Sequence, residues 1–376
     1  MPLDIIQMPN YDIVNLMLQG NSPNNEIIVD NAGNPGVYVR IGKQKLSDLL
    51  DNVPEEMDMV HPAFKIGGVE KDSIYIGKFQ GSENGNTRIY SLPSSSPKVS
   101  ITLANTINYC RNKGDGHHCI TAAEWAFLAL WCKKNGTLPK GNSDYGKDIT
   151  ENLYKAIPAS VGTDGRINRV LTGTGPLTWS HDGTPSGIWD LNGNIWESCS
   201  GMRLINGELQ VIPDNNAASP SCDLSSTSNE WKAINANATS WGDMFIEPNG
   251  SGTTENSVKL DFDETKWVYS TTISHNRRTA ECNFLNVSCD STIGDKAKLL
   301  LRVLAMLPET ELFRNDVSTI YNVGNLSLNN SESDIFAVVR GGEFRYRTKS
   351  GVFYSYMRYT DSYNSIYFGC RPAYYE

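Results

Sequence analysis

The chain has 376 residues, 39% of them hydrophobic and 20% charged, with a formal net charge of −9. That composition suits a globular protein and argues against disorder over the whole length. The acidic balance argues against a dedicated nucleic-acid binder, whose domains are usually strongly basic. The length allows two or three average domains, or one large α+β domain with an extension.

Residues 1–12 lack the basic region and long apolar run of a secretory signal. No stretch approaches the length of a membrane-spanning helix. Synthesis in a cytoplasm, without a signal peptide and without membrane insertion, is therefore expected. The eight cysteines are scattered rather than spaced as a disulfide scaffold, and most are expected to be free, buried thiols.

In chain order, residues 1–55 read as a separate, β-rich N-terminal segment. A strand over Glu26–Val29, turn chemistry at Asn31–Gly36 and a second strand over Val37–Ile41 predict a β-hairpin. A lone hairpin is marginal in water and needs a partner surface, from its own domain or from another subunit. Asp48–Met57, with Pro54, reads as a linker to a larger mixed domain over 56–376.

In that domain Ala63–Ile66 and Ser73–Phe79 predict strands, and Thr102–Asn112 predicts a helix stopping at Gly114. Thr121-Ala-Ala-Glu124 is a capping box. It opens a helix whose Trp125, Leu128, Ala129 and Cys132 form an apolar stripe, closed by Lys133, Lys134 and Gly136. The stretch Gly187–Glu197, with Trp189 and Trp196, carries Asn192-Gly193 and predicts a hairpin with a type I′ turn. From Ser200 to about Asn330 the chain is rich in Ser, Thr, Asn and Asp. Lys298–Leu307 alone reads as strongly apolar there, and loops are expected over roughly half of the region.

Few residues carry recognisable chemistry. Cys110, His117, His118, Cys119 and Cys132 are close in sequence, but no Cys-x2-Cys pair or standard His pair is present, so buried or loop residues are expected rather than a metal site. His181 and His275 have no nucleophile motif beside them, and phosphate-cradling glycine loops are missing. Asp261 and Asp263 read as a solvated charge cluster.

The C-terminal stretch is different. Between Arg340-Gly-Gly342 and Gly369-Cys-Arg371, a segment from Phe344 to Tyr367 mixes tyrosines with small polar residues and cations. Tyrosine supplies large, rigid contact area at low entropy cost, and small polar residues supply adaptable hydrogen bonds, as in antibody combining sites. Arg340, Arg345, Arg347, Lys349, Arg358 and Arg371 outnumber the acids of this tail, making it locally basic on an acidic body. Over Val352–Tyr359 the alternation predicts Phe353, Ser355 and Met357 packed inward, with Tyr354, Tyr356 and Arg358 displayed. The expected ligand-binding residues are Phe344, Arg345, Tyr346, Arg347, Thr348, Lys349, Tyr354, Tyr356, Arg358, Tyr359, Asp361, Tyr363, Asn364, Ile366 and Tyr367.

Cys110, Thr121–Trp125, Gly187–Glu197, Arg340–Gly342 and Gly369–Arg371 occur in the order seen in formylglycine-generating-enzyme-like domains, a branch of the C-type lectin fold. The chain resembles that family from about His61 to Glu376, with Cys370 where the usual Gly-Phe-Arg ending has Phe. The resemblance implies an α+β, C-type lectin-like fold with a small β-rich N-terminal segment. Within it, the Arg-Gly-Gly opening, Gly351-Val-Phe353 and Arg371 near the end resemble variable proteins of diversity-generating retroelements, with a variable region of about 340–372. That likeness implies a non-enzymatic protein that recognises a protein or glycan ligand on a cell surface, similar to phage or prophage tropism determinants. Release to a virion or the extracellular space, virion attachment through residues 1–55 and a homotrimer are implied with it. The alternative is an oxidoreductase of the formylglycine-generating or sulfoxide-synthase type, which needs a reactive cysteine pair or an iron-binding histidine set near the C-terminus. Cys370 stands alone there in sequence and no histidine follows His275. Relatives also suggest a calcium ion near Asn194 and Glu197, too weakly to assign a site; no other cofactor is expected.

Overall fold

A computed structural model describes residues 11–83, 85, 87–309, 321–331 and 334–376. The reading of residues 1–10 as lacking a signal lies outside them. Helix α1 (Asp12–Asn21) precedes strands β1 (Asn25–Val29) and β2 (Pro35–Gly42), a short helix α2 (Leu46–Leu49) and strand β3 (Ser73–Gly77). Helix α3 (Leu103–Arg111), strand β4 (His117–Cys119) and helix α4 (Ala122–Lys134) follow. Then come β5 (Trp196–Ile205), β6 (Glu208–Val211), β7 (Lys259–Phe262), β8 (Trp267–Ser270), β9 (Thr279–Asn283) and helix α5 (Asp295–Val303). The C-terminal part holds β10 (Asn325–Asn329), β11 (Ile335–Gly341), β12 (Gly351–Met357), β13 (Phe368–Cys370) and β14 (Pro372–Tyr374). The molecule is a mixed α+β, sheet-rich protein. Among the described residues, no helix is long and apolar enough to cross a membrane.

Two sheets dominate. A five-stranded sheet runs β1-β2-β3-β14-β4, and a twelve-stranded sheet has the path β9-β10-β12-β11-β5-β6-β7-β8 through its middle. The predicted hairpin forms, with Glu26 opposite Tyr38 and Ile28 opposite Gly36. Its partner surface lies in the same chain: β2 pairs with β3, and β3 with the C-terminal β14. The linker expected over Asp48–Met57 is not one. Leu49, Leu50 and Met57 are buried in the main core together with Leu46, because the turn they occupy packs its apolar side chains against the body.

Helix α4 has the predicted capping box. Thr121 Oγ1 accepts from the Glu124 amide at 3.1 Å, and Glu124 Oε2 accepts from the Thr121 amide at 2.9 Å. Its burial goes beyond one stripe: every residue from Ala122 to Leu130 is buried. A helix apolar all round belongs in the middle of a domain, and Trp125 Nε1 donates to the Val352 carbonyl at 2.7 Å, fastening α4 to β12.

Gly187–Glu197 is not the predicted hairpin. Positive φ falls on Asp190, Gly193 and Asn194, not on Asn192 and Gly193 together, so a type I′ turn is not made there. Side-chain amides take the place of strand pairing: Gln80 Nε2 donates to the carbonyls of Asp190, Gly193 and Ile195 at 3.1, 3.3 and 3.3 Å. Asn194 Oδ1 accepts from the Val170 amide at 2.9 Å. Buried backbone needs partners, and a loop supplied with them by asparagine and glutamine need not become a strand. Trp189 and Trp196 are buried as expected.

Lys298–Leu307 starts inside α5 and ends in the turn after it. The described residues of the polar region around it are about half loop, as expected, and its strands β6 through β9 all lie in the large sheet. Asp261, read as solvated, is buried; its Oδ2 accepts from Ser274 Oγ at 2.7 Å and meets His275 Nδ1 at 2.8 Å.

Candidate functional site

Strand β12 sends alternate side chains to two places. Phe353 stacks on Phe284 with centroids 4.9 Å apart, and Met357 joins the same main core. Ser355 Oγ accepts from the buried guanidinium of Arg340. On the other face Tyr354 and Tyr356 enter a separate cluster with Trp196, Val339 and Phe368, against which Tyr346 and Tyr367 pack. The division into faces matches the alternation, but the expected display of Tyr354 and Tyr356 does not hold: they are 0% and 7% exposed. The chain on either side of β12 folds back over them. Phe344, also expected at the surface, is buried against Tyr145 and Tyr367.

Above this aromatic floor lies an exposed rim. Arg345, Arg347, Thr348 and Lys349 come from the turn before β12; Tyr359, Asp361, Tyr363, Asn364 and Ile366 come from the loop after it. Tyr346, Arg358 and Tyr367 are half-buried between floor and rim. The two parts of the rim touch. The Arg345 guanidinium sits 3.6 Å from the Tyr367 ring centroid, and its Nε donates to Glu343 Oε1 at 2.7 Å. Tyr359 and Tyr363 stack at 3.9 Å with planes 9° apart, Tyr359 tilted against Phe368 and Tyr363 edge to face with it. Such stacking fixes large side chains at the surface, so less rotamer entropy is left to lose on contact with a ligand.

Electrostatics concentrate on two carboxylates. Glu343 is buried, and burial pushes its carboxyl up to about 7 against the opposing effect of Arg345. Glu281, on β9, accepts from the Tyr354 hydroxyl at 3.1 Å and lies 3.4 Å from Lys349 Nζ and 3.8 Å from Arg358 Nη2. With Arg345 to Lys349 it lines an open concavity. Glu281 was not among the residues expected from sequence. Neither were Asp144, paired with Arg347 at 3.6 Å, Tyr145, whose amide donates to the Phe344 carbonyl at 2.9 Å, or Arg169, which donates to the Ile366 carbonyl at 2.9 Å. They come from distant loops and carry no local motif.

Arg347 has φ +52°, a left-handed backbone that costs a non-glycine residue about 1–2 kcal/mol. Its amide donates to the Ser143 carbonyl at 2.8 Å and its carbonyl accepts from Ser350 at 3.2 Å. Strain held by its surroundings at an exposed tip is a recurring mark of functional loops.

The frame on either side is rigid. Arg340 is wholly buried and donates to the Leu304 carbonyl at 3.3 Å, at the end of α5, where a cation meets the negative pole of the helix dipole. Gly341 and Gly342 both have φ +87°; a Cβ on Gly342 would stand 2.2 Å from Ser350 Oγ, so glycine is required there. Arg371 forks onto Glu197, Nε to Oε2 at 2.9 Å and Nη2 to Oε1 at 2.8 Å, and donates to the carbonyls of Gly77 and Trp189. The oxygens considered for calcium are thus engaged within the protein: Glu197 by Arg371 and Gln80, Asn194 by Val170 and Asn142.

All eight cysteines are free thiols, and Cys289 alone is half-buried rather than buried. Cys110, Cys119 and Cys370 come together, their sulfurs within 4.8 Å of one another. Cys370 therefore does not stand alone, although sequence spacing gave no sign of its partners. Cys132 lies elsewhere, beside the His181 carbonyl, and His118 is taken up by Glu124 and the Gly116 carbonyl.

No known family's sequence profile matches the chain, and no curated protein matches it. Among solved structures, PvdO from Pseudomonas aeruginosa is a distant neighbour at 10% identity and a TM-score of 0.37, covering 93% of this chain and 98% of that one.

Proposed function

We propose that the chain is a non-enzymatic binding protein whose C-terminal surface captures a protein or glycan ligand on a cell surface. The scaffold is read as a C-type lectin-like domain of the formylglycine-generating-enzyme type, and the surface as the diversified face of a retroelement variable protein. The observation that carries this reading is the partition of residues 344–367: the substitutable side chains Arg345, Arg347, Thr348, Lys349, Tyr359, Asp361, Tyr363, Asn364 and Ile366 are exposed, above a floor of Trp196, Phe344, Tyr354, Tyr356 and Phe368 that is buried. A surface that varies without unfolding its protein needs this separation. Clustered exposed aromatics and arginines are the usual anchors of binding hot spots. Attachment through the N-terminal segment, in a trimer on a virion, is supported by Val14, Leu16 and Met17 of α1, which are largely exposed.

The oxidoreductase reading has less support. Its reactive cysteines would have to reach a substrate, whereas Cys110, Cys119 and Cys370 are 0–1% exposed. The experiment that separates the readings is sequencing of the DNA flanking the gene. A reverse-transcriptase gene and a near-copy of the 3′ coding end differing at adenines are expected; without that repeat the diversification reading is dropped. Turnover of a thiol substrate by the purified chain would overturn the binding reading.

A further inference from the structure

Three cysteines that sequence leaves far apart meet between the two sheets. Cys110 is on the last turn of α3, Cys119 ends β4 in the five-stranded sheet, and Cys370 ends β13 in the large sheet. All three are buried, and their sulfurs lie within 4.8 Å of one another. Ile89 and Ile101 complete the cluster, with Ile107 and Tyr109 packed on it. A bond of about 2.3 Å, as in metal–thiolate sites, places three sulfurs about 4 Å apart around a central ion in a trigonal plane. The observed spacing is compatible with that arrangement.

We infer that Cys110, Cys119 and Cys370 form a three-coordinate thiolate site for a soft monovalent cation, Cu(I), which clips α3 to both sheets. Sulfur-only donors select Cu(I), zinc or iron–sulfur clusters. Structural zinc takes four ligands, and among the described residues no fourth His, Cys, Asp or Glu joins the three. His118, the nearest histidine in sequence, is committed at both ring nitrogens, to the Gly116 carbonyl at 2.9 Å and Glu124 at 2.8 Å. Around the sulfurs the lining is mainly apolar, Ile89 and Ile101, with the Thr106 hydroxyl and the Ser198 carbonyl the polar atoms beside Cys119. Binding forms three Cu–S bonds and releases three thiol protons to solvent; copper stays Cu(I) and no electrons move. The resulting anionic cluster faces the buried ammonium of Lys113, one turn along from Cys110. A disulfide would join two of the sulfurs and leave the third unpaired, whereas one ion engages all three. Because Cys370 adjoins Arg371, the clip would pin the C-terminal anchor of the exposed loop.

The test is expression of the full chain in medium supplemented with copper, purification under nitrogen, metal analysis by mass spectrometry and X-ray absorption at the copper edge. About one copper per chain with three sulfur neighbours is expected, with a higher Tm than the copper-free chain. Cys110→Ser, Cys119→Ser and Cys370→Ser should each lower retention at least tenfold against a bathocuproine disulfonate challenge, while Cys222→Ser and Cys289→Ser leave it unchanged. Near-UV circular dichroism checks that the variants fold; the sulfur count in the unmodified chain decides the matter if they do not. Copper-free protein after supplementation, copper with nitrogen or oxygen neighbours, retention unaffected by the three variants, or zinc in the same site would each overturn the inference.

Discussion

Trp196 meets Tyr354 edge to face, with ring centroids 4.7 Å apart and planes at 73°. The same indole contacts Tyr346 and Tyr356 at 5.0 and 5.1 Å. One residue of the buried Gly187–Glu197 stretch therefore supports three tyrosines of the C-terminal segment, and the floor beneath the exposed rim is a continuation of the scaffold. Trp196→Ala and Tyr354→Ala should each cost about 3–5 kcal/mol in urea denaturation, the range for emptying a buried aromatic site. Tyr354→Phe keeps the ring and loses the bond to Glu281, so about 1 kcal/mol is expected.

The rim should behave in the opposite way. Asn364→Ala alters an exposed loop position and should change stability by no more than about 0.5 kcal/mol, and Tyr363→Ala, which loses its stack on Tyr359, by no more than about 1.5 kcal/mol. Arg347→Gly relieves a left-handed backbone. Set against the greater chain entropy of glycine, the expected outcome is neutral or stabilising by up to about 1 kcal/mol. A loss of more than that in thermal or urea unfolding would show that the Asp144 pair carries the turn.

Arg371 and Glu197 form a buried, bidentate pair. Removing one partner leaves the other charge unpaired, so Arg371→Met alone should cost about 3–5 kcal/mol. The double variant Arg371→Met with Glu197→Leu should recover part of that loss. A double-mutant cycle by chemical denaturation measures the coupling; strict additivity would show that the carbonyl contacts to Gly77 and Trp189 dominate.

Glu343 supplies a pH dependence. Burial raises its folded-state pKa from 4.5 to about 7, so between these values the folded chain holds a proton that the unfolded chain has released. Stability contributed by this group is present below about pH 4.5 and is lost as pH rises through about 7, by up to about 3 kcal/mol. Glu343→Gln, which stays neutral, should therefore gain on the unmodified protein across that window. A constant difference from pH 4.5 to 7.5 would show that Arg345 keeps the carboxylate ionised throughout.

The helices and the frame were the most legible parts of the sequence, because their signals are local. Thr102 and Thr121 cap the helices that their spacing predicts, and the glycines of Arg340-Gly-Gly342 occupy positive-φ positions. Alternation separated the two faces of β12 but could not reveal that neighbouring turns cover Tyr354 and Tyr356. Glu281 is invisible to local reading, since it reaches the site through the pairing of β9 with β10 and of β10 with β12. The Asn192-Gly193 signal misleads for a related reason: Gln80, more than a hundred residues earlier, satisfies the backbone that a hairpin would have paired. The cysteine cluster likewise depends on two sheets meeting around α3.

The central claim is that the rim recognises a ligand while the floor only supports it. The most direct measurement is binding of the fluorescently labelled full chain to a panel of bacterial cells, scored together with thermal stability. A variant carrying Thr348→Ala, Lys349→Ala, Tyr363→Ala and Asn364→Ala is compared with the unmodified protein. The account predicts that at least one strain binds the unmodified chain, and that the variant loses at least tenfold of that binding while its Tm stays within a few degrees. Undiminished binding by the folded variant, or binding to no strain at all, would contradict it.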